Sequence, residues 1–317
     1  MIYISELLSD SDMARLLRET GAGVELVRFS VGMNLDRLEM EIDNARRRLR
    51  AWGDPPCTVH GPFLDLNPVS WDPAVASLSA RRYEQAYEAA AALGASKIVY
   101  HTCYVPATNM PEGWSNRCAA FYREFLKGKG ASPAVVMENV FDPDPQLLRE
   151  VAERVDHPAF GLCLDVGHAH CYAAAAQLSA PPARAWAEAG TAAPPARERA
   201  ETGTAASPAR ERAETGAAAP PARAWAEAGV AAPPAHAWAE AGVAASPVCV
   251  WAAMLAPWIR HIHAHDNDGT ADHHRGIGRG TIPWSQLRPL LPAEASVTIE
   301  CADADEALES VRLRLRI

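Results

Sequence analysis

The chain has no paired cysteine motif, little positive charge, no long apolar run and no glycine-rich phosphate loop. Each absence removes a class of protein. The seven cysteines (57, 103, 118, 163, 171, 249 and 301) are odd in number, and none forms a C-x-x-C pair. That pattern fits a reduced, cytoplasmic compartment in which thiols act as small core residues. Lysine and arginine number 30 against 39 acidic residues, for a net charge of −9. Phosphate contacts need clustered cations, so nucleic acid is not the expected partner. Runs of about 18 apolar residues are missing, and no membrane span is expected. The start, MIYISELLSDSD, is acidic and has no basic segment leading into an apolar one, so no signal peptide is expected. An open doubly wound sheet would bring a Gly-rich loop after its first strand, and none is there.

What is present alternates regularly. Of the 317 residues, 49% are hydrophobic, enough for a sizeable core. Strand-like runs are IYIS (2–5), VELVRFS (24–30), CTVHGPF (57–63), KIVYHTC (97–103), AVVMENV (134–140), FGLCLDVG (160–167), IRHIHAH (259–265) and SVTIEC (296–301). Helical patterns fall between them, at 11–19, 35–52, 73–93, 114–127, 145–155 and 303–315. Asp-Pro pairs at 72–73 and 142–143 mark helix starts. Strand followed by helix, repeated around the chain, predicts a (β/α)8 TIM barrel forming a single domain over 1–317.

One segment interrupts this order. Residues 180–244 are five tandem copies of a 13-residue Ala/Pro-rich unit, beginning at Ala180, Ala193, Ala206, Ala219 and Ala232. Without them about 250 residues remain, the usual size of such a barrel. The block reads as a low-complexity repeat insertion between the sixth and seventh strands. With Pro near the start of each unit and Gly near its end, it is expected to be a mobile excursion.

Acidic and histidine-bearing motifs recur at the strand ends: TVHGPF (58–63), VYHTC (99–103), VMENV (136–140), CLDVGHAH (163–170), HIHAHDND (261–268) with DHH (272–274), and TIEC (298–301). Glu138, Asp165 and Glu300 each end an apolar strand, where a charge is costly unless paired or metal-bound. Three such groups around one barrel mouth repel each other, and a divalent cation removes that repulsion. His60, His101, His168, His263 and His274 lie at strand ends or just after them. His261, His263 and His265 share one face of a strand. A rim site is reached by only one or two positions per strand, so at least one of these three is expected to pack or support. His170 and His273 have no independent claim, and His157 and His236 read as surface residues. The polar, glycine-bearing loop 266–284 can fold back and carry Asp272 and His274 towards the mouth. Trp71, Tyr104, Trp114 and Trp284 could stack on a ligand ring, but aromatic residues near a barrel rim are more often packing.

Taken together, HGPF, YH, MEN, LDVGHAH, HAHDNDG–DHH–GIGRG and IEC resemble the xylose isomerase-like barrel superfamily over residues 1–178 and 250–317. That group includes sugar phosphate isomerases and epimerases, hydroxypyruvate isomerases, inosose dehydratases and the family-2 apurinic endonucleases. The isomerase and epimerase branch implies one divalent metal held by Glu138, Asp165, His263 and Glu300. It also implies Glu138 and Glu300 as an acid/base pair across the bound sugar, with His168 holding a substrate oxygen and His60 beside it. The endonuclease branch implies a three-zinc cluster, whose further ligands fall on His60, His101, His168, Asp272 and His274. The loop SVGMNLD (30–36) lacks the cations that DNA bending needs. The expected function is therefore a metal-dependent isomerase or epimerase of a small sugar or hydroxy-carbonyl compound. A zinc-dependent phosphodiesterase and a non-enzymatic sugar- or metal-binding barrel are the alternatives. Mixed N and O ligands without Cys suit Mn, Co, Mg or Zn.

Overall fold

A computed structural model describes residues 1–106, 108–179 and 246–313. The repeat at 180–244 lies outside the described residues. Eight parallel strands close into a barrel in chain order. They are β1 (Ile2–Ser5), β2 (Gly23–Leu26), β3 (Cys57–His60), β4 (Lys97–His101), β5 (Ala134–Glu138), β6 (Phe160–Asp165), β7 (Ile259–Ala264) and β8 (Ser296–Ile299). Around them run α1 (Asp10–Thr20), α2 (Gly32–Leu35), α3 (Leu38–Ala51), α4 (Pro73–Ala92), α5 (Trp114–Phe125), α6 (Gln146–Val155), α7 (Val166–Ser179), α8 (Pro247–Leu255), α9 (Trp284–Leu287) and α10 (Ala304–Leu313). This is a (β/α)8 barrel.

Local chemistry sets many of the boundaries. The Ser9 hydroxyl accepts the Asp12 amide at the start of α1, and Gly21 ends that helix in the left-handed conformation at φ 66°. Asp72 caps α4 by accepting from the Ala74 amide, with Pro73 in the first turn. The second Asp-Pro pair behaves differently. Asp142 is buried and caps nothing; α6 starts only at Gln146, whose amide donates to Asp144 at 2.8 Å.

Several strands stop earlier than their apolar runs. The run 24–30 pairs with β3 only as far as Leu26 and then turns through a 3-10 segment, Arg28–Ser30. The run 160–167 ends at Asp165, because that carboxylate accepts the His168 amide at 2.6 Å and caps α7. The helical pattern 35–52 is broken at Asp36 and Arg37, and Asp36 pairs with Arg82 of α4 at 2.6 Å.

The main core lies between barrel and helices, where Trp114, Trp251, Trp284, Tyr83 and Tyr100 are among the largest fully buried side chains. Tyr83 stacks on Tyr100 with ring centres 4.1 Å apart. Inside the barrel, Val99, Val136 and Cys163 form a small apolar patch. Beside it is a polar layer. Glu25 accepts from Thr58 and Thr298 at 2.9 Å each and contacts His261 Nε2 at 3.0 Å. All seven cysteines are free. Among the described residues no helix is long and apolar enough to cross a membrane.

Candidate metal centre

Parallel register brings the strand ends to one rim. His101 pairs with Glu138 across β4 and β5, and Asp165 pairs with His263 across β6 and β7. Glu300 follows β8 directly. The candidates from six consecutive strands therefore converge without any long loop having to carry them.

Glu138 is the hub. Its Oε2 lies 3.3 Å from His60 Nε2 and 3.5 Å from His101 Nε2, and its Oε1 lies 3.5 Å from His168 Nδ1 and 3.4 Å from His263 Nδ1. His263 Nδ1 also lies 3.9 Å from Asp165 Oδ2 and 3.5 Å from Glu300 Oε1. The loop after β7 folds back over the rim. It is held by paired backbone bonds between Asp266 and Arg275, and by the Asp266 carboxylate, which accepts from Gly278 N and Trp284 Nε1 at 2.8 Å each. Asp272 Oδ2 thereby reaches 3.2 Å from His168 Nε2 and 3.3 Å from His274 Nε2. All nine residues singled out in the sequence thus share one neighbourhood. Glu138, Asp165 and His263 are the deepest, whereas His101, Asp272 and His274 are half-buried at its mouth.

The imidazoles are oriented by acceptors behind them. His60 Nδ1 meets Gly61 O at 2.9 Å, His168 Nδ1 meets Asn139 O at 3.0 Å, and His274 Nδ1 meets Glu300 O at 3.1 Å. A carbonyl only accepts, so each Nδ1 carries a proton, and whenever one of these rings is neutral its lone pair lies on Nε2.

Charge is concentrated and compensated. Burial pushes the Glu138 carboxyl up, but His263 and the contact with His168 outweigh it and hold the group well below the usual range. Burial likewise opposes ionisation of Asp165, and the nearby His168 and His265 outweigh it. Glu300 goes the other way, with burial raising it against the pull of His263. Burial drives His101 down to about 3. For His274 the Asp272 carboxylate overcomes burial and lifts the imidazole to about 9.

Do these groups fit a divalent cation? Glu138 Oε2, Asp165 Oδ2, His263 Nδ1 and Asp272 Oδ1 are buried and have no hydrogen-bond partner. Orphaned lone pairs on several neighbouring side chains are costly by themselves and are what a cation satisfies. The donors are nitrogen and oxygen. Cys163 lies close to His261 and His263, and burial pushes its thiol up. The set fits a hard or borderline divalent ion.

Two buried groups stand behind the candidate ligands; His265 belongs to the triplet that the strand pattern shows, whereas nothing in that pattern singles out Glu25. Glu25, on β2, lies under His263. His265 is fully buried, with Nε2 3.2 Å from Asp165 Oδ1 and Nδ1 3.6 Å from Asp272 Oδ1. Its ring lies parallel to that of His274, 4.0 Å away at 3°. His265 thus stands between two carboxylates without an aligned hydrogen bond to either, and His168, His265, Asp272 and His274 each offer an atom within 4.8 Å of one another. Of the histidine triplet, His261 faces Ser296, Thr298 and Glu25 in the barrel interior.

Other expectations are corrected. Tyr104, Trp114 and Trp284 are buried in packing, so only Trp71 is exposed, and Arg117 covers it at 4.2 Å. Phe63 stacks on His101 at 4.2 Å. His157 is half-buried and accepts the Ala159 amide instead of lying free on the surface. His236 lies outside the described residues.

Beside the site, Asp142 Oδ2 accepts from Thr102 Oγ1 and Val140 N, while Oδ1 is buried without a partner. Burial pushes this carboxyl up to about 7. The folded chain thus holds a proton that the unfolded chain releases near pH 4. The associated stability is complete below about pH 4 and is lost as pH rises through about 7. Asp142→Asn keeps both accepted bonds and cannot ionise. Its melting temperature relative to the parent is expected to climb between pH 5 and pH 8, at roughly 2–4 °C per kcal/mol regained. A constant difference across that range would show that Asp142 does not titrate there.

Comparison with known proteins agrees with this architecture. Residues 14–197 match the xylose isomerase-like TIM barrel family, and the chain belongs to it. A D-tagatose 3-epimerase-like protein superposes with a TM-score of 0.62 at 18% identity, covering 99% of this chain and 96% of that one. A Thermus thermophilus protein soaked with zinc chloride gives 0.57 at 22% identity, covering 99% and 97%. Endonuclease IV from the same organism gives 0.50 at 15%, covering 98% and 96%. At these identities the likeness is one of fold. An uncharacterised protein of Methanocaldococcus jannaschii is 28% identical over 130 residues, which span 35% of this chain and 41% of that protein. The match thus spans less than half of that relative's length.

Proposed function

We propose that the protein is a divalent-metal-dependent isomerase or epimerase of a small sugar or other hydroxy-carbonyl compound. One observation carries the reading. Glu138 from β5 and Glu300 from β8 approach the same atom, His263 Nδ1, at 3.4 and 3.5 Å. Two carboxylates bracketing one cation position is the arrangement that proton removal and return beside a carbonyl requires. Glu138, Asp165, His263 and Glu300 would hold the ion, and it would polarise the carbonyl and the neighbouring hydroxyl, lowering the cost of an enediolate. One glutamate takes the proton on the carbon beside the carbonyl, and the other returns one. His168 Nε2 and His60 Nε2 face inward and orient substrate oxygens. The solved sugar epimerases that share this barrel support the class of reaction through fold only.

The second reading, a zinc-dependent phosphodiesterase, draws on the outer donors. His60, His101, His168, Asp272 and His274 surround the inner four and could hold further ions. Against it stands the character of the rim. The described segments that follow the strands contain no lysine. Arg28 is engaged by Glu41, Arg275 by Asp268 and Arg279 by Glu309, Arg37 stands exposed, and so do Met33, Leu64, Trp71 and Phe141. A polyanion finds little to hold there.

Metal content per chain, measured on protein purified without a metal-affinity tag, separates the readings when paired with two assays. Manganese, cobalt or magnesium near one per chain, with turnover in a panel of ketoses and hydroxypyruvate, is the expected result. Two or three zincs with chelator-sensitive cleavage of an abasic-site duplex would replace it with the second reading. Absence of metal after incubation with excess ion would leave a binding barrel without this chemistry.

A further inference from the structure

His263 is the one inward imidazole of the inner set, and it is turned opposite to its neighbours. His60, His168 and His274 each place Nδ1 on a backbone carbonyl. His263 instead points Nδ1 at Glu138, Asp165 and Glu300. Its Nε2 faces the side chain of Glu25, with Oε1 3.0 Å away. Glu25 comes from β2, on a different part of the barrel wall, and neither residue has any solvent exposure.

We infer that Glu25 is the positioning residue for His263: its carboxylate accepts from the Nε2–H and so reserves the Nδ1 lone pair for the inner cation. The inference rests on the metal-centre reading above. Glu25, His263 and Glu300 offer atoms within 4.8 Å of one another, yet Glu25 stands against the other nitrogen of the ring. Its Oε2 is taken by Thr58, Thr298 and His261, and its Oε1 faces His263 Nε2, whereas Glu138 and Glu300 face Nδ1. The Nε2–Oε1 spacing is within hydrogen-bond range, although both atoms lie off the line of a bond. A turn of the ring about its last torsion aligns them, and that torsion is soft.

The chemistry favours this use of a buried carboxylate. A neutral imidazole has two tautomers, and only the one protonated on Nε2 offers Nδ1 to a metal. A carboxylate cannot donate when ionised, so it selects that tautomer and makes the ligating nitrogen more basic. Thr58 and Thr298, from β3 and β8, hold the carboxylate still. A ligand fixed by a backbone carbonyl cannot lose its partner by mutation, whereas His263 depends on one side chain.

The test is cobalt(II) titration of the metal-free full chain, followed by chelator competition and by the visible spectrum of the bound ion. Glu25→Gln has nearly the same shape but can turn its amide N–H towards Nε2, which selects the wrong tautomer. Cobalt affinity is expected to fall about 10–100-fold, with the ligand-field bands moved by loss of a nitrogen donor. Near-ultraviolet dichroism of the metal-free variant should match the parent, and Glu25→Asp should restore part of the affinity. Parent-like affinity and bands in Glu25→Gln would overturn the inference. If Glu25→Gln does not fold, Thr298→Val decides: it keeps the carboxylate but frees it, and a loss of roughly 3-fold or more is expected, whereas no change overturns the proposal. Failure of the parent chain to bind cobalt is a separate outcome and overturns the metal-centre reading itself.

Discussion

Glu138→Gln is expected to lower kcat/KM by about 10³-fold or more on whichever hydroxy-carbonyl substrate the chain turns over. The size of the effect follows from how many roles meet at this residue. Its two oxygens face four imidazoles at 3.3–3.5 Å. Glutamine keeps the shape but removes the proton acceptor and half of the charge bracket around His263. It also turns an amide N–H towards nitrogens that should face a cation. Glu300→Gln should lower turnover comparably while leaving the His60 and His101 side of the hub untouched. Both variants should remain folded, because the barrel ladder passes through backbone groups and not these side chains. Turnover close to that of the parent in either variant would end the acid/base assignment.

Gly167→Ala is expected to destabilise the protein by about 1–2 kcal/mol, a fall of roughly 2–4 °C in melting temperature per kcal/mol at about this chain size. Helix propensity alone argues the reverse. Gly167 lies in the first turn of α7, and alanine there would stabilise a helix by about 1 kcal/mol. Packing decides the sign. A Cβ on Gly167 would overlap Cε1 and both ring nitrogens of His265. The ring has no room to yield. It is fully buried, stacked on His274, and held between Asp165 and Asp272. Displacing it also disturbs two candidate metal ligands, so the metal-loaded protein should lose more stability than the metal-free one. Differential scanning calorimetry with and without bound ion reads both effects. A melting temperature that rises in both states would mean that His265 is not clamped by this glycine.

The two variants probe different levels of the same site. Glu138 stands at the centre, and a strand-end carboxylate in an apolar run already marks it in VMENV. Gly167 and His265 belong to its support. Nothing in VGHAH distinguishes a glycine that begins a helix from one that makes room for a histidine nearly one hundred residues further on.

Much of the fold was legible in the chain. Apolar runs of strand length alternating with amphipathic helical patterns dictate a βα succession, and the missing phosphate loop turns the choice from an open sheet to a barrel. The end positions of those runs also carry polar residues, since a charge in a doubly buried strand is costly unless it is paired, as Glu25 is inside β2, or opens on the rim. Boundaries were less legible. Asp165 ends its strand by capping α7, and Asp142 is buried instead of starting a helix; each depends on where a carboxylate turns, which the order of residues does not encode.

The sequence by itself determined the class of barrel and the strand ends that bear the candidate ligands, because both follow from local periodicity and from the cost of burying charge. Tertiary structure alone decided which histidine nitrogen faces inward, that Glu25 stands behind His263, that His265 spans Asp165 and Asp272, and that three of four candidate stacking aromatics are core. These depend on closure of the barrel, which sets β2 against β7 across its interior and lays the loop 266–284 over the rim. Contacts between residues more than two hundred positions apart have no local signature, and only the closed ring of strands brings them together.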